Sequence, residues 1–462
     1  MQQKSELPEG WSFCTLEEIG KWSTGGTPSR KVKEYFNGDV PWVKSGDLKD
    51  NVVTDTEEKI TQAALENSSA KLLPAGFVSI ALYGATIGKL GIVNTDAATN
   101  QACANCQVNP CLINRAFLFY YLLSQREELV KAGQGGAQPN ITNKIIREWS
   151  MTLPPLPEQH RIVTAIEALF TRLDAANERL DMVPETMKAF RQAVLAAAFE
   201  GRLTEEWRKE NVGIEPVSLT LSNLQAKQSS KSRANYNVKE LDISKLPDLP
   251  EKWEWHPIIS VSSRVTVGYV GPMRDEYIED GIPFLRSQNV RENRYDSAGL
   301  KFISPEFHAS IKKSALEPND VVVVRSGNVG VSCVIPHNLK EANCSDLVII
   351  KQPFGFTSKF GSYYLNSISK TTIDSNKVGI ALSHFNTQSV ANLPIPLPPL
   401  PEQQEIVRRV DALFAFAGSV EAKVAAAREK TERLRQSILA KAFSGELVPT
   451  EAEIARQEGR GY

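Results

Sequence analysis

The chain has 462 residues, room for roughly two to four domains with their own cores. Hydrophobic residues make up 42% and charged residues 23%, the balance of an ordinary globular chain. The formal net charge of −1 argues against a strong non-specific nucleic-acid binder, but it allows local basic patches or a partner that supplies most phosphate contacts.

The opening residues, MQQKSELPEGW, contain no apolar stretch, so a secretory signal is not expected. No apolar run approaches the ~18 residues of a membrane span. Six scattered cysteines are too few for a disulfide framework, so a reducing cytoplasm is expected. Up to about residue 150 the chain shows short apolar runs broken by Gly, Pro, Asn and Ser. Phe77–Leu82 and Leu90–Val93 read as strands and Arg115–Leu123 as a helix. This first head is therefore predicted as α+β with a small irregular sheet.

A long helical arm follows. PPLPEQ ends a proline cluster and begins a helix, because early N–H groups lack partners and an acid suits the first turn. Ile162, Ile166, Leu169, Leu173 and Leu180 then recur at heptad spacing, as in a coiled coil. Pro184 predicts a kink, and Gly201 a helix end. Gln225–Glu240 is polar and reads as a linker.

The text then repeats. With an ungapped offset of 244, Pro154–Leu203 matches Pro398–Leu447 at about 20 of 50 positions. LPEGW (Leu7–Trp11) answers LPEKW (Leu249–Trp253), VPWVKSGDL answers IPFLRSQNV, and ATIG (Ala85–Gly88) answers GNVG (Gly327–Gly330). The second head, about 245–395, has candidate strands at Val321–Arg325, Val331–Ile335 and Leu347–Lys351. The second arm carries Ile406, Val410, Leu413, Val420 and Val424 at the same spacing, and Gly445 ends it. A duplicated domain plus arm predicts that the arms pair antiparallel, each roughly 40 residues and about 60 Å long, with the heads at opposite ends. Phe170, Phe190, Phe199, Phe414, Phe416 and Phe443 either face partners or pack the heads onto the arms.

Catalytic motifs are not found. GATIGK at Gly84–Lys89 is one residue short of a phosphate loop and reads as a strand turn. Cys103, Cys106 and Cys111 lack a nearby fourth ligand, so no metal site is expected. The heads instead offer polar loops with basic and aromatic residues interleaved. In head one these carry Arg30, Lys31, Lys33, Tyr35, Lys44, Ser45, Gln134, Gln138 and Asn140. In head two they carry Tyr269, Arg274, Arg286, Ser287, Gln288, Arg291, Arg325, Asn328 and His384. Arg, Lys, Asn and Gln can bond base edges in the major groove, and Ser and loop N–H groups suit phosphates. Plain surface loops, a non-DNA coiled-coil adaptor and a fused DNA-modifying enzyme are the competing readings, the last lacking any catalytic motif.

With PLPEQ opening each arm, AFRQAVLAAAFEGRLTEEWR and LRQSILAKAFSGEL closing them, LPEGW/LPEKW, GGTPS and GAQPNIT, nearly the whole chain resembles the specificity (S) subunit of Type I restriction–modification systems, with arm wording nearest the Type IA branch. The resemblance implies an α+β fold of two target-recognition domains separated by two long helices in an antiparallel coiled coil. It divides the chain into domain one (1–153), a central region with the first helix (154–212), a linker (213–246), domain two (247–397), a distal region with the second helix (398–447) and a tail (448–462). It implies one half of a bipartite, asymmetric double-stranded DNA target per domain, with the helices setting the gap. Two methyltransferase (M) and two restriction (R) subunits would be the partners. They would bring S-adenosylmethionine, ATP and Mg2+, while this chain would hold no cofactor and catalyse nothing. Two wordings depart from the pattern: VGYVGP stands where GGTPS is expected in head two, and GIALSHFNT where GAQPNIT is.

Overall fold

The structure, a computed structural model, describes residues 7–133, 139–227, 241–242, 244, 246–374 and 386–461. The chain forms two compact units, one running to Asp181 and resuming at Val424, the other Met182–Lys423. Each unit holds one head, the start of one arm and the end of the other.

In the first unit, five strands lie in the order Gly20–Thr24, Cys103–Val108, Phe77–Ala81, Leu90–Val93, Asn51–Val53. All neighbours are antiparallel except the last pair. Phe77–Ala81 and Leu90–Val93 are buried on both faces, which is why they read as mostly apolar runs, Ser79 within the first being buried and bonded to Asn105. A smaller sheet joins Glu58–Ile60, Phe36–Val43 and Ala98–Thr99, with the last two parallel. Ser12–Thr15 pairs with Ser150–Leu153 and so ties the start of the head to the start of its arm. Arg115–Ser124 is the head's main helix, capped by the Asn114 side chain.

The second unit repeats this plan. Its central sheet has the order Ser262–Val267, Leu347–Pro353, Val321–Val324, Ser332–Val334, here antiparallel throughout, without the parallel edge pair of the first unit. Lys301–Ile303, Ile282–Leu285 and Ala342–Cys344 reproduce the smaller sheet, with the same parallel pair. Glu254–Pro257 pairs with Pro394–Leu397, and Ser358–Asp374 is the main helix.

The first arm is divided. Helix Leu156–Asp181 ends, Met182 intervenes, and helix Val183–Phe199 begins with Pro184 in its first turn. Pro184 has no N–H for the Leu180 carbonyl, so the ladder breaks there. The second arm has no such proline and runs unbroken over Leu400–Ser444. The pairing is antiparallel in both units. In the first, Asp174, Asn177 and Asp181 meet Arg435, Thr431 and Arg428 in that order. In the second, Arg191 grips Glu421 with two bonds of 2.7 and 2.9 Å, and Arg409 reaches the Leu203 carbonyl at 2.8 Å.

The repeated PLPEQ phrase has one job, done twice. Gln159 donates to the carbonyls of Pro154 and Leu112 and accepts from Asn114 N–H. Gln403 donates to Pro398 and Gly355 and accepts from Thr357 N–H. Each glutamine thus fastens an arm's first turn to the loop before its head's main helix. Glu158 is buried and accepts from the Trp11 indole at 2.8 Å and the Glu451 amide at 2.9 Å. Glu402 accepts from the Trp253 indole at 2.9 Å, the Thr204 hydroxyl at 2.7 Å and Arg208 at 2.6 Å. Trp11 and Trp253 are the tryptophans of LPEGW and LPEKW. Gly445 and Gly201, both at positive φ, end the arms against the prolines of those same phrases, where a Cβ would lie 2.5 Å from Pro8 and 2.4 Å from Pro250.

The start of each arm serves its head as much as it serves the end of the other arm. Ile162, Ile166 and Phe170 share one core with Phe117, Leu122 and, from the second arm, Leu439 and Ala442. Ile406 and Val410 share the second unit's core with Phe199, Phe360 and Tyr364. Leu169, Leu173, Leu180, Leu413 and Val420 are half-buried, and Val424 is buried. Phe443 stacks edge-on against Phe117 and Tyr121, while Phe416 is exposed. A helix, Val217–Lys227, stands inside the segment expected as linker, with Val217 and Leu221 buried in the second core. No helix among the described residues is long and apolar enough to cross a membrane.

Candidate nucleic-acid interface

Antiparallel neighbours turn at shared ends, so one end of each central sheet collects loops far apart in sequence. In head one that end carries Gly25–Gly26, Asn100–Ala102 and the Leu82–Lys89 turn. Gly25 N–H bonds the Cys103 carbonyl at 3.0 Å, and Gly26 N–H the Thr99 carbonyl at 2.9 Å. A Cβ on Gly25 would lie 2.2 Å from the Asn100 carbonyl, so the glycines of GGTPS are required by close backbone approach. The smaller sheet delivers its residues to the same place, because Asn100 N–H bonds the Val43 carbonyl at 2.9 Å. Lys44 and Ser45 follow immediately, in a single turn pinned by Asp47, which accepts from Lys44 N–H at 2.8 Å. Asn140 arrives by pairing with Tyr83 across an isolated bridge. Lys44, Ser45 and Asn140 are thus brought together.

Arg30 lies beside them. It pairs with Glu58 at 2.7 Å and lies over the rings of Phe36 and Trp42 at 4.6 and 5.3 Å. Lys44 pairs with Glu57 at 2.6 Å and Glu58 at 2.9 Å. Glu57 and then Glu58 raise the Lys44 ammonium above its ordinary range, and Arg30 and Lys44 hold the Glu58 carboxyl below its own. A cleft of about 560 Å³ opens here between Arg30, Lys33, Asn37, Glu57 and Glu58. Lys31 and Lys33 are exposed, and Tyr35 packs against the small core around Trp42 and Ile60. Gln134 and Gln138 lie outside the described residues.

Head two builds the same end with other side chains. Gly268 N–H bonds the Leu347 carbonyl and Tyr269 N–H the Cys344 carbonyl, both at 2.7 Å. VGYVGP therefore keeps the first glycine's crossing and places Tyr269 where head one has Gly26. The Tyr269 ring rests on Phe307 at 5.4 Å. Ser345 N–H bonds the Leu285 carbonyl at 3.0 Å, bringing in Arg286 and Ser287. Asp346 pairs with Arg325 at 3.3 Å and accepts from the Ser326 hydroxyl at 2.6 Å, fixing the turn that exposes Asn328. Tyr269, Arg286, Ser287, Arg325 and Asn328 are thus gathered. Arg286 donates to the Gly299 carbonyl at 2.9 Å and lies 5.9 Å from the Tyr277 ring centre, with Lys301 at 5.7 Å from the same ring. Gln288 reaches the same carbonyl at 3.3 Å. Arg291 is turned away to Asp296, and Arg274 is exposed in the loop beyond Tyr269. His384 lies outside the described residues.

The replaced loop wordings end in equivalent caps. Thr142 of GAQPNIT caps helix Asn143–Arg147, and Asn386 of SHFNT caps Thr387–Ala391. Tyr83, Glu57, Tyr277, Lys301 and Asp346 were not among the sequence candidates. The repeat held a signal for one of them: Lys301 answers Glu58 at an offset of 243, whereas Tyr83, second after its strand, answers Ser326. Chemically, these ends can offer guanidinium, ammonium, amide and hydroxyl groups to base edges and phosphates. Strand Cys103–Val108 sends Cys103 and Cys106 into different cores, so that C-x-x-C pair does not converge. No cluster of His, Cys, Asp and Glu suited to a metal occurs among the described residues.

Comparison with known proteins agrees over most of the chain. Residues 8–184 and 257–425 match the Type I restriction modification DNA specificity domain. The chain is 30% identical over 454 residues to the Type I restriction enzyme EcoBI specificity subunit of Escherichia coli, covering 97% of this chain and 85% of that protein. It is 27% identical to the E. coli EcoDI specificity subunit, covering 96% and 90%. Among solved structures, the HsdS subunit from Thermoanaerobacter tengcongensis shares the fold with a TM-score of 0.59 at 20% identity, covering 96% of this chain and 99% of that one. A chain from a structure on complex assembly and conformational transition of the type I R-M system gives 0.66 at 20% identity, covering 96% and 100%. With the duplicated domain matched in both copies and a relative at 30% identity along nearly the full length, this chain belongs to the Type I restriction–modification DNA specificity family.

Proposed function

We propose that this chain is the sequence-reading subunit of a Type I restriction–modification complex, each head reading one half of a bipartite, asymmetric DNA target. The observation that carries this reading is the matching sheet end in the two heads: one scaffold, two different sets of base-capable side chains. Shared backbone with unlike tips is what two readers of unlike sequences need. The paired helices would set the number of base pairs between the half-sites. Methyltransferase subunits, two per complex, would dock on the chain and bring S-adenosylmethionine. Two restriction subunits would add ATP- and Mg2+-dependent translocation and cleavage, leaving this chain a non-catalytic reader. Near-neutral net charge suits a reader whose partners share the phosphate contacts.

The test is selection from random-sequence duplex DNA by this chain co-expressed with its methyltransferase subunit. Enrichment of one two-part motif is expected. Weak, uniform binding would instead favour a protein-binding adaptor, and methyl transfer by the chain alone would favour an enzyme.

A further inference from the structure

At one homologous position the two heads carry opposite charge. Strand Glu58–Ile60 in head one and strand Lys301–Ile303 in head two occupy the same place beside the strand that delivers Lys44 or Arg286. Head two has Lys301 there, sharing the Tyr277 ring with Arg286. Head one has Glu57 and Glu58, both on Lys44.

The two glutamates are not equivalent. Glu58 is occupied on both oxygens, by Arg30 and by Lys44, and only 29% of its side chain is exposed. Glu57 is 75% exposed, and its Oε2 takes Lys44 while its Oε1 has no partner among the described residues. The turn that presents it is fixed, since Thr56 donates its hydroxyl to the Glu58 carbonyl at 2.7 Å. A free carboxylate oxygen on a surface meeting a polyanion is repelled unless it finds a donor. In the major groove the base-edge donors are the exocyclic amino groups, N4 of cytosine and N6 of adenine.

We infer that Glu57 is a specificity-determining residue of head one, its Oε1 accepting from the exocyclic amino group of a cytosine or adenine while Lys44 neutralises Oε2. This rests on the DNA-reading function proposed above. Head two has Leu300 in place of Glu57 and Lys301 in place of Glu58, and its Lys301 and Arg286 would favour a base presenting acceptors, as guanine does.

The experiment is the same random-sequence selection, run with the full chain and its methyltransferase subunit, for the wild type and for Glu57→Gln and Glu57→Ala. Glu57→Ala should lose at least about fivefold discrimination for an amino-bearing base at one position of one half-site. Glu57→Gln, which offers an amide donor beside its acceptor, should broaden the same position. The other half-site should not change. An unchanged motif in both variants, or a uniform gain in affinity for all sequences, would overturn the inference while leaving the DNA-reading function intact. A wild-type complex that selects no two-part motif would remove both.

Discussion

Head one and head two answer the same internal problem with different chemistry. Asp50 and Asn293 occupy equivalent turns, both at positive φ and both bonded through their N–H to the neighbouring strand. Asp50 is surrounded by charge: Lys89 at 2.7 Å, Arg126, and the Leu90 amide at 3.1 Å. Asn293 is surrounded by neutral groups, accepting from the Asn366 amide at 2.7 Å and the Ser362 hydroxyl at 3.1 Å. The arm junctions differ likewise. Glu402 holds a guanidinium, whereas Glu158 holds an indole and a backbone amide. The lesson is that duplication preserved backbone crossings and let the polar partners drift as complete sets. A single side chain from one head is therefore not expected to work in the other.

The junctions give the largest expected effect. Glu402→Ala strands the Trp253 indole, the Thr204 hydroxyl and the Arg208 charge, and should cost about 3–5 kcal/mol. Glu158→Ala strands two neutral donors and should cost about 1–3 kcal/mol. Urea unfolding of the full chain, followed by tryptophan fluorescence, compares them. Equal losses would mean that the charged junction is no stronger than the neutral one.

Asp50→Asn imports the head-two residue into the head-one setting and should cost about 1–3 kcal/mol by leaving Lys89 and Arg126 without their carboxylate. Burial alone would raise the Asp50 carboxyl, but Lys89 and Arg126 hold it below its ordinary 3.8. A carboxyl depressed on folding stabilises fully above its unfolded pKa and loses that contribution as pH falls through its folded one. Wild-type stability should therefore drop below about pH 4 more steeply than that of Asp50→Asn, which acid titration of the unfolding midpoint checks. Parallel acid limbs would contradict the assignment. The smallest structural effect belongs to Arg291→Ala, which removes one exposed pair with Asp296 and should change stability by less than about 1 kcal/mol in the same unfolding assay.

The sequence made the skeleton legible where burial imposed a pattern. Phe77–Ala81, Leu90–Val93 and Val321–Val324 sit where short, mostly apolar runs placed them. The break at Met182 follows from Pro184. The heptad pattern was less transparent, because Ile162, Ile166, Ile406 and Val410 look like seam positions yet also fill the head cores. Periodicity reports that a helix face is apolar, not what covers it. The buried roles of Glu158 and Gln159 were hidden, since a charged and an amide residue in a first turn read as surface. The interface was half legible. Polar loops could be named, but which loops share a sheet end depends on strand order. Lys44 and Arg286 were found as cations, while the acids beside one and the aromatic ring beside the other came only with the fold.

The central claim is that each head reads its own half-site, and mapping methylated bases in host DNA tests it most directly. The hosts would carry the complex with wild-type chain, Lys44→Ala or Arg286→Ala. Each variant should relax the motif in one half only, a different half for each, by about 1–3 kcal/mol at the affected base. Relaxation of both halves by a single variant would contradict the account.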